Sequence, residues 1–363
     1  MTIFTNLPSL TDKVVHHLSH NDMDGYAPQV VSKISKLNTA EYIHCGYTNF
    51  EEKLEDTITF FETAKALEGH AILITDIAPK SEELVDRLNK LFERGLTLVL
   101  LDHHDTAKWI SEKYPNWAFI ESELDGRKTC ATELLYLYLK ENEMFDDNVL
   151  NSQYFSSFVE QVRAYDTWDW NTTGNVEAKE LNSLLYTFGP SKFMHMQFAK
   201  IAEHVNDPSV VQYSFNETEK LFIDVENKKE EKYIESRSKT MIVRTWSVGD
   251  KSYEAGVVFG DQYHSTLGNT LSKENPHLDF IVILDLNGGK ASLRTIHDNV
   301  HVGEIAKAVA GGGGHPKAGG FEFDMETSLM KIEDSIGVSS AFSATSVGTG
   351  QNSWKEQLLQ AAN

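Results

Sequence analysis

The segment LTLVLLDHHD, residues 96–105, places a short apolar run directly before a cluster of aspartate and histidine. A continuous apolar run of this length is typical of a strand that is buried on both faces of a parallel sheet. Two other segments have the same form, VVHHLSHNDMDG (14–25) and AILITD (71–76). Because ligands of open parallel sheets bind at the carboxyl ends of the strands, we expect the three polar clusters to converge at one edge.

Segments with helical spacing of apolar residues alternate with these strands. Residues 81–94 form the clearest one, with Ser81 as the expected N-cap and Gly95 just past its end. The other expected helices open near Pro28, span 129–140 and span 150–168. Strands that alternate with helices predict an α/β fold with a parallel sheet for the first half of the chain.

A charged, helix-favouring stretch, residues 212–239, separates the first half from a second region. That region contains strand-like runs such as FIVILDL (280–286), expected helices near 264–272 and over 302–309, and the glycine run 311–314. We therefore expect a smaller α/β domain, joined to the first by a helical connector. The expected domain boundaries are 1–190, 191–239 for the connector, 240–335, and 336–363 for a small polar tail.

The composition is that of an ordinary soluble globular protein, with 40% hydrophobic and 24% charged residues. Lys and Arg total 33 and Asp and Glu total 54, a net charge of −21 that argues against a passive nucleic-acid coat. Two cysteines, Cys45 and Cys130, are too few for a disulfide scaffold, so a reducing compartment is expected. Neither a membrane helix nor a secretory signal is predicted, and we expect a cytoplasmic protein.

Each polar cluster by itself has an ordinary structural explanation, because an aspartate after a strand often only caps the next helix. Three clusters at one sheet edge are different, since buried charges are costly and neighbouring carboxylates repel one another unless a cation is present. Imidazole and carboxylate donors without a thiolate favour a divalent ion such as Mn²⁺, with Mg²⁺ or Zn²⁺ as alternatives. The sequence therefore predicts a divalent metal site at this edge.

The order of the motifs resembles that of the DHH phosphoesterase superfamily. Its four N-terminal motifs would be SHNDMDG (19–25), the Asp of LITDIAP (73–79), LDHHD (101–105) and the Asp of RAYDTWDW (163–170). ASLRT (291–295) followed by GGGGHPKAGGF (311–321) is similar to the substrate-binding DHHA1 domain of that superfamily. The single residue between His20 and Asp22 resembles the branch of RecJ and of the NrnB-type oligoribonucleases, or nanoRNases, more than the pyrophosphatase branch.

The resemblance implies a site with two Mn²⁺ ions. The implied metal ligands are His20, Asp22, Asp24, Asp76, His103 and Asp166, with Asp76 bridging the two ions. Asp102 is implied to orient a ligand imidazole, and His104 to contact the phosphate or to act as an acid. Asp169, three residues after Asp166, is a rival ligand that the sequence does not separate from it.

Substrate binding is expected mainly in the second domain. The candidate residues there are Arg294, Gly313, Gly314, His315 and Lys317. The glycine backbone can approach a phosphate closely, and Arg294 offers a planar fork to a terminal phosphate. In the first domain, Arg127 is a candidate for the scissile phosphate, with a surface salt bridge as the alternative.

The resemblance implies a metal-dependent phosphodiesterase that releases mononucleotides from short RNA or DNA, or cleaves linear dinucleotides or nucleoside 3′,5′-bisphosphates. The acidic composition agrees with short substrates, because a long strand would cross repelling surface. The alternatives are a RecJ-like single-strand exonuclease, a family II pyrophosphatase and a non-catalytic nucleotide sensor. A membrane partner is not expected, whereas a homodimer stays open.

Overall fold

The computed structural model describes residues 3–207, 209–324, 326 and 328. The chain divides into two units between Glu226 and Asn227. The expected polar tail, 336–363, lies outside the described residues. Every helix in the described part of the chain is too short or too polar to cross a membrane.

The first unit is built on a parallel sheet. Its strands are β1 (Val14–His20), β2 (Asn38–Cys45), β3 (His70–Thr75), β4 (Thr97–Asp102) and β5 (Ala118–Ile120). They are ordered β2-β1-β3-β4-β5, and every neighbouring pair is parallel. The three strands predicted from apolar runs, β1, β3 and β4, begin and end within one residue of their expected positions.

Helices cover both faces of this sheet. They are α1 (Met23–Ile34), α2 (Phe50–Thr63), α3 (Glu82–Glu93), α4 (Lys108–Lys113), α5 (Ala131–Glu141), α6 (Asp147–Leu150), α7 (Gln153–Asp166), α8 (Asp169–Thr173), α9 (Val176–Phe188) and α10 (Pro190–His204). Along β4, Leu98 and Leu100 pack with α2 and α3, whereas Val99 and Leu101 pack with α1, α5 and α7. Side chains that alternate between two cores explain why this strand is apolar throughout.

Two elements of the first unit differ from the prediction. Helix α1 begins at Met23 instead of near Pro28, because Asp22 caps it by accepting a hydrogen bond from Gly25 N at 3.0 Å. The edge strand β2 was not predicted, since its sequence NTAEYIHC is largely polar and most of its residues are partly or fully exposed. By contrast, Ser81 caps α3 as predicted, accepting from Leu84 N at 3.4 Å.

A short hairpin and a long helix complete this part of the chain. The hairpin pairs β6 (Glu123–Leu124) with β7 (Arg127–Lys128) around the turn residues Asp125 and Gly126, both at positive φ. The helix, α11 (Glu217–Ser238), lies in the charged stretch predicted as a connector, and the division between the units falls inside it.

The second unit has its own mixed sheet. Its elements are β8 (Ile242–Val248), β9 (Lys251–Phe259), α12 (His264–Glu274), β10 (Phe280–Asp285), β11 (Lys290–Arg294), α13 (Val302–Ala310), β12 (Gly313–Gly314) and β13 (Ala318–Glu322). The strand order is β12-β13-β11-β10-β9-β8, and among the described strands of this second sheet only the β9–β10 pair is parallel. Alternate residues of β10 face α12 (Ile281, Ile283) and α13 (Phe280, Val282). The predicted α/β class, with a parallel-sheet domain followed by a second α/β unit, is confirmed.

Candidate metal centre

The carboxyl ends of three neighbouring strands bring the predicted polar clusters together. His20 ends β1, Asp76 follows β3 directly, and Asp102 ends β4. Because β1, β3 and β4 are adjacent in the sheet, the residues at these ends share one edge. Asp166 reaches the same place as the last residue of α7.

Three overlapping groups of imidazole and carboxylate side chains result, each with its ligand atoms within 4.8 Å of one another. His20, Asp22 and Asp76 form the first group, and Asp24, His103 and Asp166 form the second. The third joins Asp76 and His103 to Asp102 and His104. Asp76 lies between the groups, with Oδ2 3.5 Å from His20 Nδ1 and Oδ1 3.3 Å from His103 Nε2. The structure therefore brings together the six residues expected to bind metal.

Several polar atoms in this cluster are buried without a hydrogen bond. They are Asp76 Oδ2, His103 Nε2 and Asp166 Oδ2, and within the described residues none has a hydrogen-bonding partner. His103 Nε2 lies 3.4 Å from Asp166 Oδ2 and 3.8 Å from Asp24 Oδ2, but the geometry makes no hydrogen bond. Buried polar groups are normally paired, so lone pairs that face one another in this way fit a bound cation.

The electrostatics of the cluster agree with that interpretation. Burial, followed by the charges of Asp22 and Asp24, raises the pKa of Asp76 well above its usual value. Burial and the same two carboxylates also raise the pKa of Asp166. Burial lowers the pKa of His103 despite the nearby carboxylates, which favours the neutral imidazole that metal binding needs. The donors are imidazole nitrogens and carboxylate oxygens, a set that suits Mn²⁺, Mg²⁺ or Zn²⁺.

Asp24 is held by another helix. Its two carboxylate oxygens accept hydrogen bonds from the first backbone N–H groups of α5, Ala131 N at 2.7 Å and Thr132 N at 2.9 Å. Pro28 cannot donate to the carbonyl oxygen of Asp24 one turn earlier, and Thr132 Oγ1 donates to it instead at 3.1 Å. The N-terminus of α5 therefore stabilises the charge of Asp24 and fixes its position.

The backbone at Asp76 is strained. Its φ of +60° lies in the left-handed region, which a non-glycine residue adopts at a cost. The Ser19 hydroxyl donates to the carbonyl of the preceding residue, Thr75, at 3.1 Å, and Asp76 N donates to Leu101 O at 3.2 Å. These contacts hold the Asp76 carboxylate between the two groups.

Asp102 orients His104. Its buried Oδ1 accepts from the backbone N–H of His103 at 2.8 Å and from Nδ1 of His104 at 2.8 Å. The prediction gave Asp102 a ligand imidazole to orient, whereas its side-chain partner here is His104. Burial works against a charge on His104, but the hydrogen bond and the charge of Asp102 outweigh it and raise the pKa of His104 to about 9.

The structure separates the two rival aspartates. Asp166 faces His103, whereas Asp169 accepts a hydrogen bond from Arg163 Nη1 at 2.7 Å. Arg163 is buried and also donates to Glu160 through Nε at 2.9 Å. The carboxylate of Asp169 is thus neutralised outside the cluster.

Arg127 makes the salt bridges that were the alternative to phosphate binding. Its guanidinium donates to Glu133 and, at 2.6 Å, to Glu160. Glu160 also binds Arg163, so the two arginines share one carboxylate. In this arrangement the guanidinium of Arg127 binds acidic side chains of its own unit.

The candidate residues of the second unit lie on neighbouring strands, except His315 and Lys317, which lie in the turn between β12 and β13. In the register of β11 and β13, Arg294 is opposite Ala318, and Gly314 of β12 is opposite Gly319. The guanidinium of Arg294 donates to Leu293 O at 2.9 Å and to Ser265 Oγ at 3.2 Å, and burial lowers its pKa. Lys317 is ion-paired with Asp298 at 2.6 Å, and His315 is exposed.

Tyr47 is a residue at the site that the sequence analysis missed. It lies in the turn between β2 and α2, its ring centroid is 4.5 Å from that of His20, and its hydroxyl is 3.5 Å from His104 Nε2. The only available signal was its position after a strand next to β1. Because that strand is itself polar and was not predicted, the sequence pattern did not mark this turn.

Comparison with known proteins places these motifs in a wider group. No family model matches the chain. Over 308 residues it is 37% identical to the oligoribonuclease NrnB of Bacillus subtilis, covering 84% of this chain and 72% of that protein. Over 342 residues it is 26% identical to a 3′,5′-cyclic-nucleotide phosphodiesterase of Helicobacter pylori, covering 85% of this chain and 93% of the relative.

A solved structure supports the fold. RecJ of Thermus thermophilus in complex with Mn²⁺ matches with a TM-score of 0.50 and 12% sequence identity. The match covers 89% of this chain and 51% of that RecJ chain. At this identity the likeness concerns the fold alone.

Proposed function

The chain belongs to the NrnB-type branch of the DHH phosphoesterase superfamily, and from this premise we propose that it is a metal-dependent phosphodiesterase acting on short oligonucleotides. The observation that carries the proposal is the pair of imidazole–carboxylate groups that meet at Asp76 and His103, with buried polar atoms that lack a hydrogen-bonding partner among the described residues. The name of the B. subtilis relative, an oligoribonuclease, supports the substrate class.

The metal-binding roles follow the two groups. His20 and Asp22 would hold one divalent cation, Asp24, His103 and Asp166 the other, and Asp76 both. Mn²⁺ is our proposal for the ion, on the donor set and on its presence in the RecJ of similar fold. Such a pair supplies an activated water and offsets the charge of the phosphate oxygens.

His104 has the position and the charge of a proton donor. Asp102 fixes its Nδ1, which leaves Nε2 directed toward Tyr47 and the open side of the site. In the protein without a bound cation, burial is outweighed by the hydrogen bond and the charge of Asp102, which raise the pKa of His104 to about 9, a direction that favours the protonated imidazole. We propose that His104 contacts the phosphate and protonates the departing oxygen.

Recognition of the substrate is proposed for the second unit. Within the described residues Arg294 forms no ion pair, although it is partly buried. A partly buried cation without an acidic partner is incompletely solvated, so a phosphate of the substrate would stabilise it. The glycine backbone at Gly313 and Gly314 belongs to the β12–β13 pairing, and the exposed His315 and the partly buried Lys317 lie in the turn between these strands.

The activity is tested with end-labelled RNA and DNA oligonucleotides of about two to twenty-five residues, digested with Mn²⁺ or with a chelator. We expect metal-dependent release of mononucleotides, with rates that fall steeply as the substrate lengthens. Equal rates on long single strands would favour the RecJ-like alternative, and 3′,5′-cyclic AMP as a competing substrate tests the activity named for the H. pylori relative. Binding without turnover would leave a nucleotide sensor.

Arg294→Ala tests the role of the second unit. A charge-assisted hydrogen bond contributes about 1.5–3 kcal/mol, so kcat/KM for a trinucleotide should fall roughly ten- to a hundredfold. Bis-p-nitrophenyl phosphate, which has no distal nucleotide, should be cleaved almost normally. Arg244→Ala, an exposed arginine of β8, is the control. Equal losses on both substrates would mean that Arg294 supports the fold.

A further inference from the structure

A tyrosine and a lysine stand beside the metal centre on two loops of the same sheet edge. Tyr47 follows β2 and Lys80 follows β3, so both loops leave the carboxyl ends of strands that flank β1. Lys80 Nζ lies 5.8 Å from the centroid of the Tyr47 ring. We call these two residues the Tyr47–Lys80 rim.

The Tyr47 side chain is exposed, and its aromatic ring is not part of the hydrophobic core. The residue is 55% exposed, although its ring contacts the imidazole of His20 and its hydroxyl reaches His104. His20 belongs to the metal group and His104 is the proposed proton donor. A ligand that contacts the open part of the Tyr47 ring would therefore lie next to the reacting phosphate.

Lys80 is an exposed cation in an acidic neighbourhood. Within the described residues its ammonium group forms no ion pair, and its backbone is fixed because Glu51 Oε1 accepts from Lys80 N at 3.1 Å and from Ser81 N at 2.9 Å. The loop is thus anchored while the side chain stays available. Phosphate is the ligand that a compact point charge of this kind suits.

We propose that the Tyr47–Lys80 rim is a nucleotide subsite: a nucleobase next to the scissile phosphate stacks on Tyr47, and Lys80 binds a flanking phosphate. The proposal rests on the proposed phosphodiesterase function and names the substrate feature that the first unit recognises. Stacking tolerates every base because each has a π-face, so the rim selects a nucleotide without selecting its sequence.

The test compares a dinucleotide with two analogues that lack the 5′ or the 3′ base. Stacking of one base on an aromatic side chain corresponds to roughly ten- to a hundredfold in affinity, and wild-type protein should prefer the complete dinucleotide over one of the analogues by a factor of this order in kcat/KM. Tyr47→Phe keeps the ring and should keep the preference. Tyr47→Leu should abolish it, so that the complete dinucleotide and that abasic analogue are cleaved with equal kcat/KM.

Lys80→Gln should lower kcat/KM for dinucleotides carrying a terminal phosphate about tenfold and reduce the dependence of the rate on salt. Lys65→Gln, another exposed lysine of the same unit, should change neither. A preference for the complete dinucleotide that survives in Tyr47→Leu would overturn the stacking role while the phosphodiesterase function stands.

A binding measurement separates the two proposals. Calorimetry with AMP and with ribose 5-phosphate should show tighter binding of AMP to wild-type protein, and equal binding of both to Tyr47→Leu. If wild-type protein hydrolyses none of the dinucleotides, the proposed function fails, and the calorimetry alone decides on the rim. Equal affinities of wild type and Tyr47→Leu for AMP would then overturn it.

Discussion

Asp76 combines two features that are each unusual for a single residue. It lies where the two groups of side chains proposed to bind metal meet, and its backbone is in the left-handed region at φ +60°. Strain of this kind persists where the surrounding structure imposes it, and at Asp76 the contacts of Ser19 and Leu101 do so. The strained backbone directs the Asp76 carboxylate toward the two groups, whereas an extended backbone at the end of the strand would direct it away from them.

Asp76→Asn should remove activity and bound metal without unfolding the protein. Asparagine tolerates positive φ as aspartate does, so the substitution removes only the charge. We expect kcat to fall by at least about a hundredfold, as losses from disrupted catalytic electrostatics commonly do. Metal content after gel filtration is the second readout.

Asp125→Asn is the matched control, because Asp125 also has positive φ, at 50°, but lies in the turn of the β6–β7 hairpin. It should keep both activity and metal. An Asp76→Asn protein that retains its metal and its turnover would remove Asp76 from the site.

The sequence predicts most of the site's residue types but not all of their partners. Strand-end positions and motif order were enough for the six clustered residues. Motif position favoured Asp166 over Asp169, but the sequence did not show that Arg163 of α7 binds the carboxylate of Asp169. Tyr47 was missed for a different reason. Contacts between loops at the edge of a sheet produce no repeating pattern in the sequence.

At the scale of helices and strands, the pattern of apolar residues decides which elements can be predicted from the sequence. β4 is buried along its whole length and is obvious from sequence, whereas the edge strand β2 is polar and exposed and is not. Helix α1 was placed too late because Pro28 suggested a first turn. Its actual start depends on the cap formed by Asp22, which is also one of the clustered carboxylates.

The packing of α13 on the glycine strands gives a prediction for the second unit. A Cβ at Gly303 would lie 2.2 Å from Gly314 O, whereas one at Gly313 would meet nothing within 4 Å. Gly303→Ala should therefore lower the free energy of unfolding by about 1–3 kcal/mol or more through overpacking. Gly313→Ala should be nearly neutral in the same denaturant titration. Equal stability of the two variants would contradict the tight packing of α13.

Two histidines, the buried His17 of β1 and the partly buried His44 of β2, predict how stability depends on pH. Burial, with a smaller contribution from His44, lowers the pKa of His17 to about 3, and burial lowers that of His44 to about 4. In the unfolded chain these histidines have a pKa of about 6.5. Below that pH the unfolded chain therefore binds protons at His17 and His44, whereas the folded protein does not. Stability is therefore full above that pH and falls toward pH 3–4, by up to about 1.4 kcal/mol per pH unit for each histidine.

His17→Gln should flatten this dependence. His17 Nε2 is hydrogen-bonded to Thr75 Oγ1 at 2.9 Å, and the glutamine amide can keep that contact without titrating. Denaturant titrations between pH 7 and 4.5 should show a smaller slope for the variant, and a smaller one still for His17→Gln with His44→Gln. An unchanged slope would mean that other groups govern acid unfolding.

At the scale of the whole molecule, the net charge of −21 and the proposed metal site have opposite effects on a nucleic-acid substrate. The acidic balance makes association with long nucleic acid unfavourable, and cations bound at the proposed site would attract a phosphate locally. The division of the chain into two units was predictable from the charged stretch between them, although the division falls inside α11 and not at its ends.

The unpaired carboxylates have a consequence for the lifetime of the folded protein. Burial and mutual repulsion raise the pKa of Asp76 and Asp166, so the native state without a cation holds them at a cost in free energy. A cation that binds only the folded state adds stability that grows with the logarithm of its concentration. Asp166→Asn should then raise the melting temperature by a few degrees in chelator, where a change of about 1 kcal/mol is enough, and lower it relative to wild type in excess Mn²⁺.

If wild type and Asp166→Asn have the same order of melting temperatures in chelator and in excess Mn²⁺, the Asp166 carboxylate does not lower the stability of the metal-free protein in exchange for metal binding. If the order reverses, the supply of metal sets how much protein survives proteolysis as well as how fast each molecule works. Starvation for the cation would then deplete the enzyme itself, and restoring the metal would restore activity only as quickly as new chains are made.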